Sequence, residues 1–192
     1  MPAASRADEI ADSAAAVFQR YGLRKTSMDD LATAAGLSRQ GLYLHFRTKE
    51  ALFHASLRRI LQRQREGVAQ ALAPDGRHLR DRLSAALACL HSEYTAVYHG
   101  TTAELIDAAA TLGRSLLDET TRDITAQLAG ALAEAPRHDR PADAGQLAAL
   151  LLSAVVGAAH LYPGDNGRDR IDTALTVVLA GSRRVSEESG PP

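Results

Sequence analysis

The sequence lacks several residue types on which whole classes of proteins depend. Among its 192 residues it has one cysteine and no tryptophan, and only 4% are aromatic. The single cysteine, Cys89, excludes an internal disulfide and a zinc site built on several cysteines, and it fits a cytoplasmic location. The few aromatic side chains argue against base stacking as the main mode of nucleic-acid binding.

Long apolar runs are missing as well. The most apolar stretch, residues 147–156, is shorter than the roughly 18 residues that cross a membrane. The N-terminal segment is acidic and rich in alanine, without the apolar centre of a secretion signal. We therefore expect the protein to have no membrane partner.

Charge is balanced over the whole chain but unevenly distributed along it. The formal net charge is −1, yet the first 65 residues contain eleven Arg and Lys against six Asp and Glu. This end is therefore net +5 and the remainder about −6. A basic end on an acidic body indicates that the N-terminal end meets a polyanion.

The pattern of apolar residues predicts an all-α fold of about nine helices, since Ala and Leu dominate and no useful strand alternation occurs. Ser5, Thr26 or Ser27, and Ser38 are candidate helix caps. We expect a three-helix N-terminal domain in residues 1–50, an antiparallel helical domain in residues 51–185, and a disordered tail in residues 186–192. Further expectations are a charged linker at residues 136–141, a loop at residues 162–167, and a last helix over residues 168–184.

Residues 28–47 have the pattern of a helix-turn-helix, which needs a small residue at the helix contact, a glycine in the turn and apolar residues locking the pair. Ala32, Gly36 and Leu42 stand at offsets 0, +4 and +10. Leu31, Ala35 and Leu37 supply the remaining inward positions. The six positions together predict two short helices packed across a tight turn.

Within this segment, four stretches resemble the signature of the tetracycline-repressor (TetR) family over about residues 8–55. The stretches are Thr26-Ser27-Met28-Asp29-Asp30-Leu31-Ala32, Ala35-Gly36-Leu37-Ser38, Gly41-Leu42-Tyr43-Leu44-His45-Phe46 and Lys49-Glu50-Ala51-Leu52. The rest of the chain is similar to that family only in helix number and order. Leu44 departs from the pattern, because many members have an aromatic or polar residue there that touches DNA.

The resemblance implies that the helix begun by Ser38 enters the major groove of double-stranded DNA. Arg39 and Gln40 would then reach base edges, and Gly41 would allow close approach. Tyr43, Leu44, His45, Lys49 and either Thr26 or Ser27 fall at backbone-contact positions, which set register without reading sequence. Other interpretations stay open: Arg39 and Gln40 as solvated surface, Tyr43 as a core residue, and His45 as a helix cap.

Two arguments suggest a homodimer. The C-terminal helices are apolar enough to be buried on several sides. In addition, two symmetric reading helices cover a palindromic operator that one cannot cover. The resemblance implies the same dimer surface. Residues of the apolar helix and of the last helix would form a four-helix bundle across a two-fold axis: Leu147, Leu150, Leu151, Ala154, Val155, Ala158, Leu161, Ile171, Leu175, Val178 and Leu179. The alternative is that both helices are ordinary core of a monomer.

Polar residues beside apolar helix faces suggest a pocket for a small-molecule effector of unknown identity. His91, Tyr94 and Tyr98 share one side of a helix at i, i+3 and i+7, and His99, Asp107 and His160 complete the candidate set. Each of these could instead be a satisfied core or surface group.

The sequence therefore predicts a ligand-responsive transcriptional repressor. Residues 1–50 would form its helix-turn-helix DNA-binding domain, and residues 51–185 its effector-binding and dimerisation domain. A DNA-binding regulator without a small-molecule ligand is the alternative. A helical-bundle enzyme is a third hypothesis, whose best metal cluster would be His91, Glu93, His99 and Glu104. The spacing of those four residues is poor, and we predict no catalytic residue, metal or cofactor.

Overall fold

The computed structural model describes residues 5–134 and 143–180, and these form nine α-helices and no strand. The all-α prediction is confirmed. The predicted linker at residues 136–141 and the predicted tail at residues 186–192 lie outside the described residues. The helices are α1 (Arg6–Lys25), α2 (Met28–Ala34), α3 (Arg39–His45), α4 (Lys49–Leu72), α5 (Leu79–Gly100), α6 (Ala103–Leu112), α7 (Arg114–Ala133), α8 (Ala144–Leu161) and α9 (Asp165–Ala180).

Short polar side chains cap several helix starts. Ser5 and Ser27 each form a reciprocal capping box with the aspartate three residues later, and Ser38 accepts a hydrogen bond from the Gly41 amide. Of the two caps considered for α2, Ser27 is the one used. Its hydrogen bonds to Asp30 hold the pKa of that carboxyl below its ordinary value.

The chain divides into two compact units. Unit 1 comprises Met1–Arg63 and Gly100–Thr120, and unit 2 comprises Gln64–His99 and Thr121–Pro192. This division follows packing, whereas the predicted boundary between residues 50 and 51 separates functions, so that boundary stays a prediction. Helix α6 thus packs with the helix-turn-helix although it lies far from it in sequence.

Unit 1 is held by an apolar core in which the rings of Phe18 and Phe53 meet edge to face, with 5.3 Å between centroids. Leu105 of α6 is buried in the same core. Gly22, predicted to end the first helix, breaks it with a φ of +79°, and a short helical turn follows to Lys25. At this break the Arg24 amide donates a 2.8 Å hydrogen bond to the Glu104 carboxylate.

An ion-pair group ties α1 to α4 in unit 1. Arg59 and Arg63 both donate to the carboxylate of Asp12, at 2.9 and 2.6 Å. Partial burial opposes ionisation of Asp12, but the two arginines outweigh it and lower the pKa of the carboxyl. Asp12 is therefore a charge that stabilises the folded unit.

Unit 2 has its own core, formed by residues of α4, α5, α7, α8 and α9. Arg82, with a side chain only 7% exposed, donates to the Leu72 carbonyl at the end of α4 and to the half-exposed carboxylate of Glu134. The guanidinium thus supplies a donor for a carbonyl that no helical amide can reach.

The last helix corrects two predictions. It begins at Asp165 rather than near residue 168, so the end of the predicted loop is helical. Ile171 and Leu175, expected at the dimer surface, are buried in the core of unit 2. The same holds for Leu151, Val155 and Ala158 of α8. Burial within the chain's own core leaves these side chains unable to contact a second protomer.

Candidate nucleic-acid interface

The helix-turn-helix has the geometry that its sequence predicted. Gly36 adopts a φ of +65°, which a side chain would strain, and so lets the backbone turn between α2 and α3. Leu31, Ala32 and Leu42 are buried at 0%, 3% and 0% exposure, and they lock the two helices together. Ala35 and Leu37 pack against this core while partly exposed.

Burial of Leu42 determines which side of α3 faces outward. At 3.6 residues per turn, Gln40 and Leu44 each lie about 200° around the helix from Leu42, on the opposite face. Both are exposed, Leu44 to 87%, and Arg39 and Tyr43 flank them, with Tyr43 exposed to 39%. This exposure disfavours the interpretation of Tyr43 as a core residue. The outward face of α3 carries the two side chains predicted to reach base edges.

Arg39 does not project freely into solvent. Its Nη1 donates to Asp29 Oδ2 at 2.8 Å, and its guanidinium carbon lies 5.7 Å from the centre of the Tyr43 ring. This ion pair was not predicted from the sequence. The pairing spans the turn, ten residues apart, so no helical spacing rule signals it. It places the charged end of Arg39 beside the outward face of α3.

Thr26 requires a correction. Its side chain is 3% exposed, and its hydroxyl donates inward to the Gly22 carbonyl at 2.7 Å, so it is not presented to a phosphate. Ser27 is exposed, and its hydroxyl donates to Asp30 at 2.6 Å. Its contact with the DNA backbone stays a prediction. Lys49 is half-buried, and its ammonium donates to the Thr26 carbonyl at 2.9 Å. Two of its three donor hydrogens stay available for a phosphate.

The remaining predicted residues of this surface lie at the two ends of α3. Ser38 and His45 are exposed, and Gly41 is partly exposed. A Cβ at Gly41 would lie 3.3 Å from the Ser38 hydroxyl, so glycine also leaves room for the cap. The predicted close approach of Gly41 to DNA stays a prediction.

Five of the six predicted effector residues, all except Asp107, belong to unit 2. His91 is 2% exposed, and its Nε2 has no hydrogen-bond partner, as is also true of the buried Thr95 Oγ1 one turn later. The α9 backbone at Gly167 lies directly against the His91 ring, where any Cβ would collide. Tyr94 is partly buried, and this burial raises the pKa of its hydroxyl. Because His91 Nε2 and Thr95 Oγ1 are buried without a partner, each would be stabilised by a hydrogen bond to a ligand.

Other members of the predicted set join the ends of α5 and α8. The rings of Tyr98 and His160 meet edge to face with 4.9 Å between centroids, and His99 Nε2 lies 3.1 Å from the Ala159 carbonyl oxygen. Asp107 is exposed on α6 and belongs to unit 1. Sequence reasoning missed Thr95, whose only signal is its position four residues after His91.

Unit 2 has two open grooves that are lined by residues outside the predicted effector set. One, of about 370 Å³, lies along the start of α9, where the Arg170 guanidinium stacks 3.9 Å from the centre of the Tyr162 ring. The other, of about 330 Å³, includes Arg82, Gln127 and Glu134. None of the six predicted effector residues lines either groove.

A comparison with known protein families matches the segment that contains the helix-turn-helix. The profile of bacterial regulatory proteins of the tetR family matches residues 10–56. The match covers about a quarter of the chain, and over that segment the chain is similar to this family. The match covers α1, α2, α3 and the beginning of α4, which are the elements that form and support the outward face of α3.

Curated relatives match only part of the chain. The HTH-type transcriptional repressor KstR2 of Rhodococcus jostii is 41% identical over 71 residues, which are 35% of this chain and 35% of that protein. The chain thus spans about a third of the length of the curated relatives it matches.

Solved structures extend the similarity in fold over the whole chain. A transcriptional regulator from Rhodococcus sp. Rha1 superposes with a TM-score of 0.71 at 22% identity, covering 93% of this chain and 98% of that one. AibR, in complex with isovaleryl coenzyme A and operator DNA, superposes with a TM-score of 0.59 at 21% identity, covering 90% and 97%. The helical fold predicted from the sequence is confirmed.

Helix α8 corrects the expectation that no apolar run approaches the length of a membrane span. Its eighteen residues have a mean hydropathy of 1.7, and a third of them are buried. By length and composition alone it could cross a membrane, although core helices of soluble proteins meet the same criterion. Alanine, glycine and the lack of any charged residue extend the apolar segment beyond residues 147–156 in both directions. Among the described residues, no three His, Cys, Asp or Glu side chains are grouped to hold a metal ion.

Proposed function

We propose that this protein is a sequence-specific transcriptional regulator that binds operator DNA through α3. The observation that carries the proposal is the outward face of α3, fixed by the buried Leu42 and bearing Arg39 and Gln40. An arginine and a glutamine are suited to guanine and adenine edges in the major groove. Ser27, Tyr43, His45 and Lys49 would hold the phosphates on either side. Such a protein works where the DNA is, in the cytoplasm, and catalyses no reaction.

A homodimer completes the proposal. Helix α8 has no charged residue, and its apolar residues Leu150 and Leu161 are 58% and 63% exposed. Val177 of α9 is 66% exposed. Apolar side chains exposed on two neighbouring helices of one unit are suited to contact with a second copy across a two-fold axis. The second copy would bring the second α3 helix to the other half of a palindromic operator.

A small-molecule effector would control this binding, and repression relieved by that effector is the mode we favour. The support is the pair of unpartnered polar atoms on α5, at His91 and Thr95, together with AibR, a structural neighbour that binds a coenzyme A thioester and operator DNA. The effector would act by population shift, favouring a dimer in which the α3 helices no longer match the half-sites. A regulator without a ligand is the alternative.

Selection of DNA by the purified protein tests the core of the proposal. Genomic fragments captured by the protein should share a palindromic sequence, and affinity for it should exceed affinity for unrelated duplex by at least about a thousandfold at the same salt concentration. Capture of fragments without a shared sequence, or no duplex binding at low salt, would refute it. Thermal-shift screening of metabolites, followed by operator titration with each hit, separates the ligand-responsive form from its alternative.

A further inference from the structure

Leu44 is the most exposed large apolar side chain among the described residues, at 87%. It belongs to neither of the two apolar cores. A single exposed leucine is ordinary on a protein surface. Leu44 is distinguished by its position, at the centre of the face that α3 turns away from its own unit.

The position of Leu44 follows from two neighbours. It lies on the opposite side of α3 from the buried Leu42, and it lies one helical turn after Gln40, on the same line along the helix. If Gln40 reaches a base edge, the side chain one turn later faces the same groove about 6 Å further along. That distance corresponds to about two base pairs.

A leucine side chain can neither donate nor accept a hydrogen bond. Packed against a phosphate or against the polar edge of a base, it would displace water without replacing the lost hydrogen bonds. Among the four DNA bases, only thymine presents an apolar group in the major groove, the methyl at C5. The chemistry of the side chain therefore selects thymine from the groove surface that it faces.

We propose that Leu44 is a specificity-determining residue that packs on a thymine methyl within about two base pairs of the base that Gln40 contacts. This inference rests on the proposed function, because it requires α3 to lie in the major groove. It gives Leu44 a part in reading sequence, instead of the backbone contact that the family resemblance implied for this position.

Replacing thymine by deoxyuridine tests the contact, because this change removes the methyl and leaves the base pair intact. Each thymine of the selected operator is replaced in turn, symmetrically in both half-sites, and the dissociation constant is measured by fluorescence anisotropy. At one position the wild-type protein should bind about fourfold more weakly per half-site, and about fifteenfold more weakly for both, since each lost contact is that of one buried methyl.

Variants assign the effect to Leu44. Leu44→Ala should bind the thymine and deoxyuridine operators equally, whereas Leu44→Met, which keeps an apolar reach, should retain the preference for thymine. Leu112→Ala, at an exposed leucine of α6, is the matched control and should leave the ratio unchanged. Because Leu44 makes little contact with its own unit, its substitution should leave the melting temperature unchanged.

The outcomes separate this inference from the proposal on which it rests. Specific operator binding that is indifferent to every deoxyuridine substitution overturns the role of Leu44 and leaves the proposed function intact. A full thymine preference in Leu44→Ala does the same. Failure of the wild-type protein to bind any duplex overturns both.

Discussion

Dimerisation through α8 and α9 can be tested at one leucine. Leu150 is 58% exposed on a helix without charged residues. Burial of a whole leucine side chain contributes about 2.5 kcal/mol, so covering the exposed part contributes about 1.4 kcal/mol. In a two-fold interface each residue contributes twice, which gives about 3 kcal/mol for the pair. Leu150→Asp should therefore weaken self-association by at least about a hundredfold, because the buried carboxylates add a desolvation cost.

Sedimentation velocity over a wide range of protein concentrations measures this loss. The control is Leu112→Asp, which places the same charge on an exposed leucine of unit 1, at 43% exposure. The control should associate like the wild type, and both variants should keep the helical circular dichroism of the wild type. Operator binding should weaken in parallel with association in Leu150→Asp, because a monomer presents one α3 helix.

A folded Leu150→Asp protein that associates as tightly as the wild type would refute the assignment of this face. Equal weakening by Leu112→Asp would refute it as well, since the effect would then reflect charge rather than position. Because the expected change is about a hundredfold, either result lies well outside the error of a sedimentation measurement.

Three further predictions concern DNA reading and stability. Arg39→Ala should cost about 1–3 kcal/mol of operator-binding free energy and relax the preference at one base pair. Lys49→Ala should weaken binding to all sequences alike and reduce by about one the slope of log binding constant against log salt concentration. Titrations at several salt concentrations measure both effects. The pKa of Asp12 is lowered in the folded chain, so its stabilisation is complete above the unfolded pKa of about 3.9 and is lost as pH falls through the lowered folded value. Urea denaturation should therefore show Asp12→Asn less stable at neutral pH, with the difference shrinking on acidification. Arg82→Met should cost about 2–3 kcal/mol of unfolding free energy, because it leaves the Leu72 carbonyl unsatisfied. Glu134→Gln, at a half-exposed partner, should cost less in the same thermal or urea measurement.

The helix-turn-helix could be predicted from the sequence because every feature that defines it is local. Gly36 turns the chain, and the residues that lock the helices lie within a dozen positions of one another. Helical spacing also separated the buried Leu42 from the outward Gln40. Where neighbours in sequence are also neighbours in space, periodicity and turn chemistry suffice.

The beginning of α9 was misread for a physical reason. Residues 163–167 contain proline, glycine, aspartate and asparagine, all of which favour turns. Gly164 does adopt a positive φ, at +85°, but the helix starts immediately after it. Gly167 lies inside the helix because its backbone packs against His91 and the Tyr162 carbonyl, where a side chain has no room. A glycine required by packing has the same sequence signal as one required by a turn.

The chemistry of the candidate sites depends on contacts that spacing does not encode. Arg39 meets Asp29 across a turn, and His99 meets the Ala159 carbonyl across 60 residues of chain. Thr26 and Ser27 are adjacent and chemically alike, yet one hydroxyl donates into the unit and the other caps α2 at the surface. Sequence therefore identifies the surface that we propose reads DNA, while the partner of each side chain decides which groups on that surface are free to do so.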